Sequence, residues 1–118
     1  MKEYKMGLCA GRHVIPGIDS YIFPETVSPT DFAELRDIAW ENIPSDAETL
    51  HVYVTGLTAA MLAVVSVCQA RGISLIAHHY DRESGNYLPQ TVLAYETCPF
   101  CHERMSAYDR YCGNCGSN

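Results

Sequence analysis

Thr49–Asp81 reads TLHVYVTGLTAAMLAVVSVCQARGISLIAHHYD, and its pattern changes twice. TLHVYVT at 49–55 is β-branched, aromatic and alternating, which predicts a strand. Gly56-Leu57-Thr58 is a tight turn. Residues 59–70 carry almost no polar side chain over more than three helical turns, which predicts a helix buried on most sides. Arg71-Gly72 closes it, with Gly72 as a left-handed cap. SLIAHHYD at 74–81 is strand-like again. Strand, helix and strand in so short a span form a βαβ unit with parallel strands.

The flanks extend this unit. YKMGLCA at 4–10 predicts a first strand, and Gly11-Arg12-His13 follows it. The stretch 14–27, VIPGIDSYIFPETV, reads as irregular, because Pro16, Gly17 and Pro24 forbid a regular helix. Ser28-Pro29-Thr30-Asp31 is a helix start, with Ser28 as cap, Pro29 in the first helical position and Asp31 reaching back. That helix runs to about Asn42, and Pro44 ends it. Phe32, Leu35, Ile38, Ala39 and Ile43 form its apolar face, with Glu34, Arg36, Asp37 and Glu41 on the solvated side and Trp40 packing. After the third strand, Arg82-Glu83-Ser84-Gly85 is a hairpin turn. NYLPQTVL at 86–93 returns antiparallel, with Pro89 marking an edge or a bulge. The order β-α-β-α-β-β predicts a small Rossmann-like α/β domain over residues 1–95, with a mostly parallel sheet and right-handed crossovers.

Residues 96–118 carry a different signal. Cys98-Pro99-Phe100-Cys101 and Cys112-Gly113-Asn114-Cys115 are two C-x-x-C pairs ten residues apart. Each pair aims two sulfurs at one point, and two pairs make a tetrahedral four-thiolate cage suited to zinc. Gly116 follows the second pair where a knuckle turn needs positive φ, and His102 holds the equivalent place after the first. The segment resembles the small zinc ribbons that end many bacterial and phage proteins. Zn²⁺ held by Cys98, Cys101, Cys112 and Cys115 is the expected cofactor.

The 118 residues carry a formal net charge of −6, and four thiolates around one zinc make the balance more negative. That argues against binding long nucleic acid, which needs a surplus of lysine and arginine. It leaves room for a local cationic pocket. Apolar residues make up 47% and charged residues 19%, as in a folded soluble protein. The start, MKEYKMGLCAGR, has no sustained apolar stretch, so no secretion signal is expected. From Val52 to Ala70 no residue is charged, yet Thr55-Gly56, Ser66 and Gln69 interrupt the run, and a strand entering a buried helix accounts for it better than a membrane span. A cytoplasmic protein without a membrane segment is the expectation.

Ligands of open α/β sheets collect at the carboxyl ends of parallel strands. Three segments meet there: Gly11-Arg12-His13, Thr55-Gly56-Leu57-Thr58, and His78 to Arg82. Gly56 permits close backbone approach. The following helix offers free N–H groups to a phosphate, and Thr55 and Thr58 add hydroxyls. Thr58 serves equally well as an ordinary cap. No Walker or dinucleotide glycine motif is present. Arg12 would supply a guanidinium fork and His13 an imidazole, and Arg82 would join the anion site. His78 and His79 are adjacent in a strand and must point to opposite faces. Asn86, Tyr87 and Gln90 offer groups that read a base. Cys9 and Cys68 read as core residues.

A strand ending in a Gly-Arg-His turn, a strand–TGL–helix–strand unit and a polar hairpin together resemble the minimal CRISPR-associated Rossmann-fold proteins, closest to the small stand-alone ring nucleases. The resemblance covers residues 4–93. It implies a homodimer that binds a cyclic oligonucleotide messenger of phage–host defence across its two-fold axis. Arg12 and His13 would match the family's arginine–histidine turn, and Thr55-Gly56-Leu57-Thr58 its ligand loop. The ribbon and the proline-containing loop at 14–27 depart from that pattern, and they weigh more against cleavage than against binding. The expected function is therefore binding of a small anionic nucleotide messenger, by sequestration or sensing. The alternatives are a ring nuclease that cuts such a messenger and a zinc-ribbon interaction module without ligand.

Overall fold

The computed structural model describes residues 2–10, 17–18, 20–54, 57–97 and 104–106. They form a small α/β domain with a five-stranded, mostly parallel sheet and two helices. The elements in chain order are β1 (Glu3–Cys9), β2 (Ser20–Phe23), α1 (Phe32–Asn42), β3 (Thr49–Tyr53), α2 (Thr58–Arg71), β4 (Ser74–Asp81) and β5 (Asn86–Leu93). A separate two-stranded sheet pairs β6 (Tyr95–Thr97) antiparallel with β7 (Arg104–Ser106).

The spatial order is β2-β1-β3-β4-β5. The first four strands run parallel, and β5 closes an antiparallel hairpin at the edge. Pro89 lies in that edge strand, where a missing N–H costs least. Gly85 takes φ 71° in the hairpin turn, a left-handed conformation that glycine adopts without strain.

Within the expected irregular stretch the structure places a strand, β2, beside β1. Ser20–Phe23 is a short β-prone run whose proline and glycine punctuation stands just outside it, at Gly17 and Pro24. The domain is thus β-β-α-β-α-β-β. The chain passes from β2 over β1 to β3 and then onward to β4. Both steps move the same way across the sheet, so right-handed crossovers put α1 and α2 on one face. The two helices pack against each other. Met6, Leu8, Leu50, Val52 and Leu75 meet Leu35, Ala39, Ala60, Val64 and Val67 in the core on that side. Among the described residues no helix covers the opposite face.

Both helices begin differently from the sequence expectation. Asp31, not Ser28, caps α1, and its Oδ1 accepts the Glu34 N–H at 3.2 Å. Ser28-Pro29-Thr30 therefore lies outside the helix, because a carboxylate three residues before a free amide closes the first turn on its own. α1 ends at Ile43, which is extended as the residue before Pro44 must be. α2 is capped by Leu57, whose side chain makes no capping bond, and Thr58 is its first helical residue. Gly72 ends it at φ 69°. α2 is apolar almost all round but buried on one side only, and Leu62 is 64% exposed. Phe32, the first residue of α1, is likewise exposed. The helices are tied at their far ends by Arg71, which donates to the carbonyls of Trp40 and Ile43 and lies 4.1 Å from the Trp40 ring centre. Among the described residues no helix is long and apolar enough to cross a membrane.

Candidate ligand-binding site

β1 sends the chain to β2 on one side, and β3 sends it through α2 to β4 on the other. Their carboxyl ends therefore flank the point where the connections part, which is where open α/β sheets bind ligands. Gly11, Arg12 and His13 follow β1, and Thr55 and Gly56 follow β3. All five lie outside the described residues, as do Cys98, Cys101, Cys112 and Cys115. The residues just before Gly11 and Thr55 are anchored to neighbouring strands. The Ala10 N–H donates to the Phe23 carbonyl at 3.0 Å, and the Val54 N–H to the His78 carbonyl at 3.0 Å. The two segments thus leave neighbouring strands at the same end of the sheet.

Leu57 and Thr58 stand at the amino end of α2. The first amides of a helix lack intrahelical partners, and Leu57 has no acceptor to offer them. Their partial positive charge lies at the carboxyl end of the sheet. A cavity of about 310 Å³ opens here, lined by Cys9, Glu25, Thr26, Val27, Pro29 and Leu57. Among the described lining residues Glu25 is the one group opposed to an anion. Arg82 lies exposed in the hairpin turn beyond β4, at this same end of the sheet. The neighbouring Asp81 carboxyl is held below its ordinary value, chiefly by hydrogen bonds from Ser84. Cys9 and Cys68 are buried. Burial pushes the Cys68 thiol up to about 12, which leaves it inert.

The face without helices carries a second constellation that the sequence reading did not find. Strand register aligns Tyr21, Gly7, Tyr53, His78 and Pro89 in one row across all five strands. The Tyr53 ring stacks on His78 at 4.6 Å and 11°. Tyr87 meets Tyr53 edge-on at 5.0 Å, and Tyr80 meets Tyr87 at 5.4 Å. One row back, His51 Nδ1 lies 3.0 Å from His78 Nε2. The ring centres are 5.2 Å apart, close to the most such a contact allows, so the rings meet head on and share a proton. Two ring nitrogens 3.0 Å apart and aimed at each other leave no room for a metal between them. Glu3 stands 3.7 Å behind His51. His79 points the other way, as strand alternation requires, and bonds Gln90 at 2.8 Å.

Gly7 lets Tyr21 lie on this face. A Cβ there would stand 2.5 Å from two carbons of the Tyr21 ring and 3.3 Å from Ile18 Cδ1. Gly7→Ala is expected to lift the ring and cost about 1–3 kcal/mol in a urea unfolding experiment. In a Tyr21→Ala background the same substitution should cost little. Equal costs in both backgrounds would mean that the ring does not rest on Gly7.

His78 sits below its ordinary value of 6.5, first through burial and then through His51, Lys5 and His79. The unfolded chain takes up this proton near pH 6.5 and the folded chain only at lower pH. Stability is therefore full above about pH 6.5, falls as the pH drops towards the folded value, and then levels. His78→Gln should flatten that acid decline between neutral and mildly acidic pH. An unchanged decline would place its origin elsewhere.

No protein-family model, no curated protein and no solved structure matches the chain.

Proposed function

We propose that the protein binds a small anionic nucleotide, a messenger held by sequestration or sensing, in the crevice formed by Gly11–His13 and Thr55–Thr58. One observation carries this reading: the order β2-β1-β3-β4 sets the carboxyl ends of β1 and β3, which the two loops follow in the chain, side by side at a switch point of the sheet. The first amides of α2, without a side-chain cap, supply donors for a phosphate there. Arg12, with Arg82, supplies local counter-charge in a chain of net charge −6. Heating purified protein and weighing the released small molecules by mass spectrometry tests the ligand class. A phosphorylated nucleoside supports the reading. A stoichiometric ligand with neither base nor phosphate contradicts it.

The same reading places one zinc ion on Cys98, Cys101, Cys112 and Cys115. Its support is the spacing of the pairs and the antiparallel β6–β7 pair, which brackets residues 98–103 as the arms of a ribbon would. It also includes a two-fold homodimer, with a second copy over the uncharged outer side of α2. Phe32 and Leu62 stand exposed there beside a cavity of about 380 Å³ that Arg36, Ala59, Ala63 and Ser66 also line. Sedimentation should report a dimer at micromolar concentration. A monomer at high micromolar concentration contradicts this part.

A further inference from the structure

We propose that the helix-free face of the sheet is a ring-recognition subsite, where a planar nucleobase stacks over Tyr21 and Tyr53 beside the hydroxyls of Tyr80 and Tyr87. The inference rests on the crevice reading and deepens it, by assigning the base to a surface distinct from the phosphate seat.

The face is built to present rings. Gly7 removes the one side chain that would separate Tyr21 from Tyr53 in their shared row. Tyr53 is fixed by stacking on His78 and by the edge of Tyr87, so its ring is oriented before any ligand arrives. Tyr21, Tyr53, His78 and Tyr87 are all half-buried, which leaves ring surface accessible while restraining motion. Aromatic side chains held in this way take nucleobases by stacking, whatever the base.

Charge sorts the same way. The chain is acidic as a whole. Yet among the described residues that alternation assigns to this face of β1, β3, β4 and β5, Glu3 is the only carboxylate. It lies at the amino end of β1, next to His51. Around the row itself stand phenols, imidazoles and, one row back, Lys5. Burial and the neighbouring tyrosines hold the Tyr87 phenol above its ordinary value, so it remains a neutral O–H that can donate to or accept from a base edge. A negatively charged nucleotide meets less repulsion here than the net charge suggests.

The face reaches the carboxyl end of β3, which the crevice loop follows in the chain. Tyr53 is the last residue of β3 and lies two positions before Thr55. The Val54 amide that follows it is anchored on the carbonyl of His78. A nucleotide whose phosphate lies against the amino end of α2 would need only to turn around the end of β3 for its base to reach the row.

The test uses the full zinc-bound chain with tyrosine and histidine rings isotopically labelled, followed by two-dimensional NMR. The probes are adenosine, cytidine, ribose 5-phosphate and AMP at millimolar concentration. Both nucleosides and AMP should shift the ring signals of Tyr21, Tyr53, Tyr87 and His78, and ribose 5-phosphate should not. Tyr21→Ala should weaken AMP about five- to hundredfold and leave ribose 5-phosphate unchanged, while Tyr21→Phe should bind AMP like the wild type. Equal loss with Phe and Ala, or no tyrosine shift with any base, overturns the proposal. Ring shifts that follow protein concentration without ligand overturn it too, because a second copy then covers the face. If ribose 5-phosphate binds in an Arg12-dependent way while no base moves a tyrosine, the crevice stands and the subsite fails. If nucleosides shift the tyrosines while ribose 5-phosphate binds nowhere, the subsite stands and the phosphate seat fails.

Discussion

Protein purified without chelator should contain one zinc per chain, and stripping that zinc should unfold residues 96–118. The described part of the tail is two strands of three residues each, too short to hold together by their own pairing. The tail carries too little apolar surface to fold as a small domain does. Structural zinc supplies apparent binding energies of about 10–16 kcal/mol in isolated fingers, and that energy is folding energy. Cys98→Ser or Cys115→Ser should therefore abolish the ribbon's NMR dispersion. The five-stranded domain should remain folded, since among the described residues its core draws only on those before Tyr95. At the junction with the tail, Ser74 Oγ accepts the Tyr95 N–H at 2.9 Å and donates to the Tyr95 carbonyl at 3.3 Å. Elemental analysis giving less than about 0.2 zinc per chain would remove the metal from the account, because such cages are one-site.

Arg12→Ala should weaken the nucleotide about ten- to hundredfold, the loss of one charge-assisted phosphate contact of about 1.5–3 kcal/mol. Thr58→Ala is the informative contrast. Were Thr58 the helix cap, its loss would cost stability as well as affinity. The structure makes it the first helical residue, with Leu57 at the cap. Its hydroxyl is then expendable to the fold, and any effect of its removal should fall on the ligand. Backbone amides, which substitution does not remove, carry the rest of the phosphate contact.

The α/β alternation was legible because long, strongly patterned segments announce themselves. β3, α2, β4 and β5 lie within a residue or two of their expected bounds. β2 was hidden because four strand residues between Gly17 and Pro24 look like loop. Without it the sheet order, and with it the switch point, could not be drawn. At α1 the sequence offers two caps, Ser28 and Asp31, and only the backbone geometry selects Asp31. At α2 the apolar composition predicts burial on most sides, yet a one-layer cover of helices leaves an outer surface. The tyrosine row had a signal. Thr49, His51 and Tyr53 alternate with Leu50 and Val52, and Ile76, His78 and Tyr80 alternate with Leu75 and Ala77. Central parallel strands covered on both faces read as nearly continuous apolar runs. Alternation in two neighbouring ones points to a face without helices.

The most direct measurement is calorimetric titration of the full chain with cyclic di-, tri- and tetranucleotides and cyclic ADP-ribose-type signals, in parallel with Arg12→Ala. The account predicts that a member of this panel binds the wild type saturably and that Arg12→Ala weakens it at least about tenfold. No binding by any of them, or a ligand held equally well without Arg12, would contradict it.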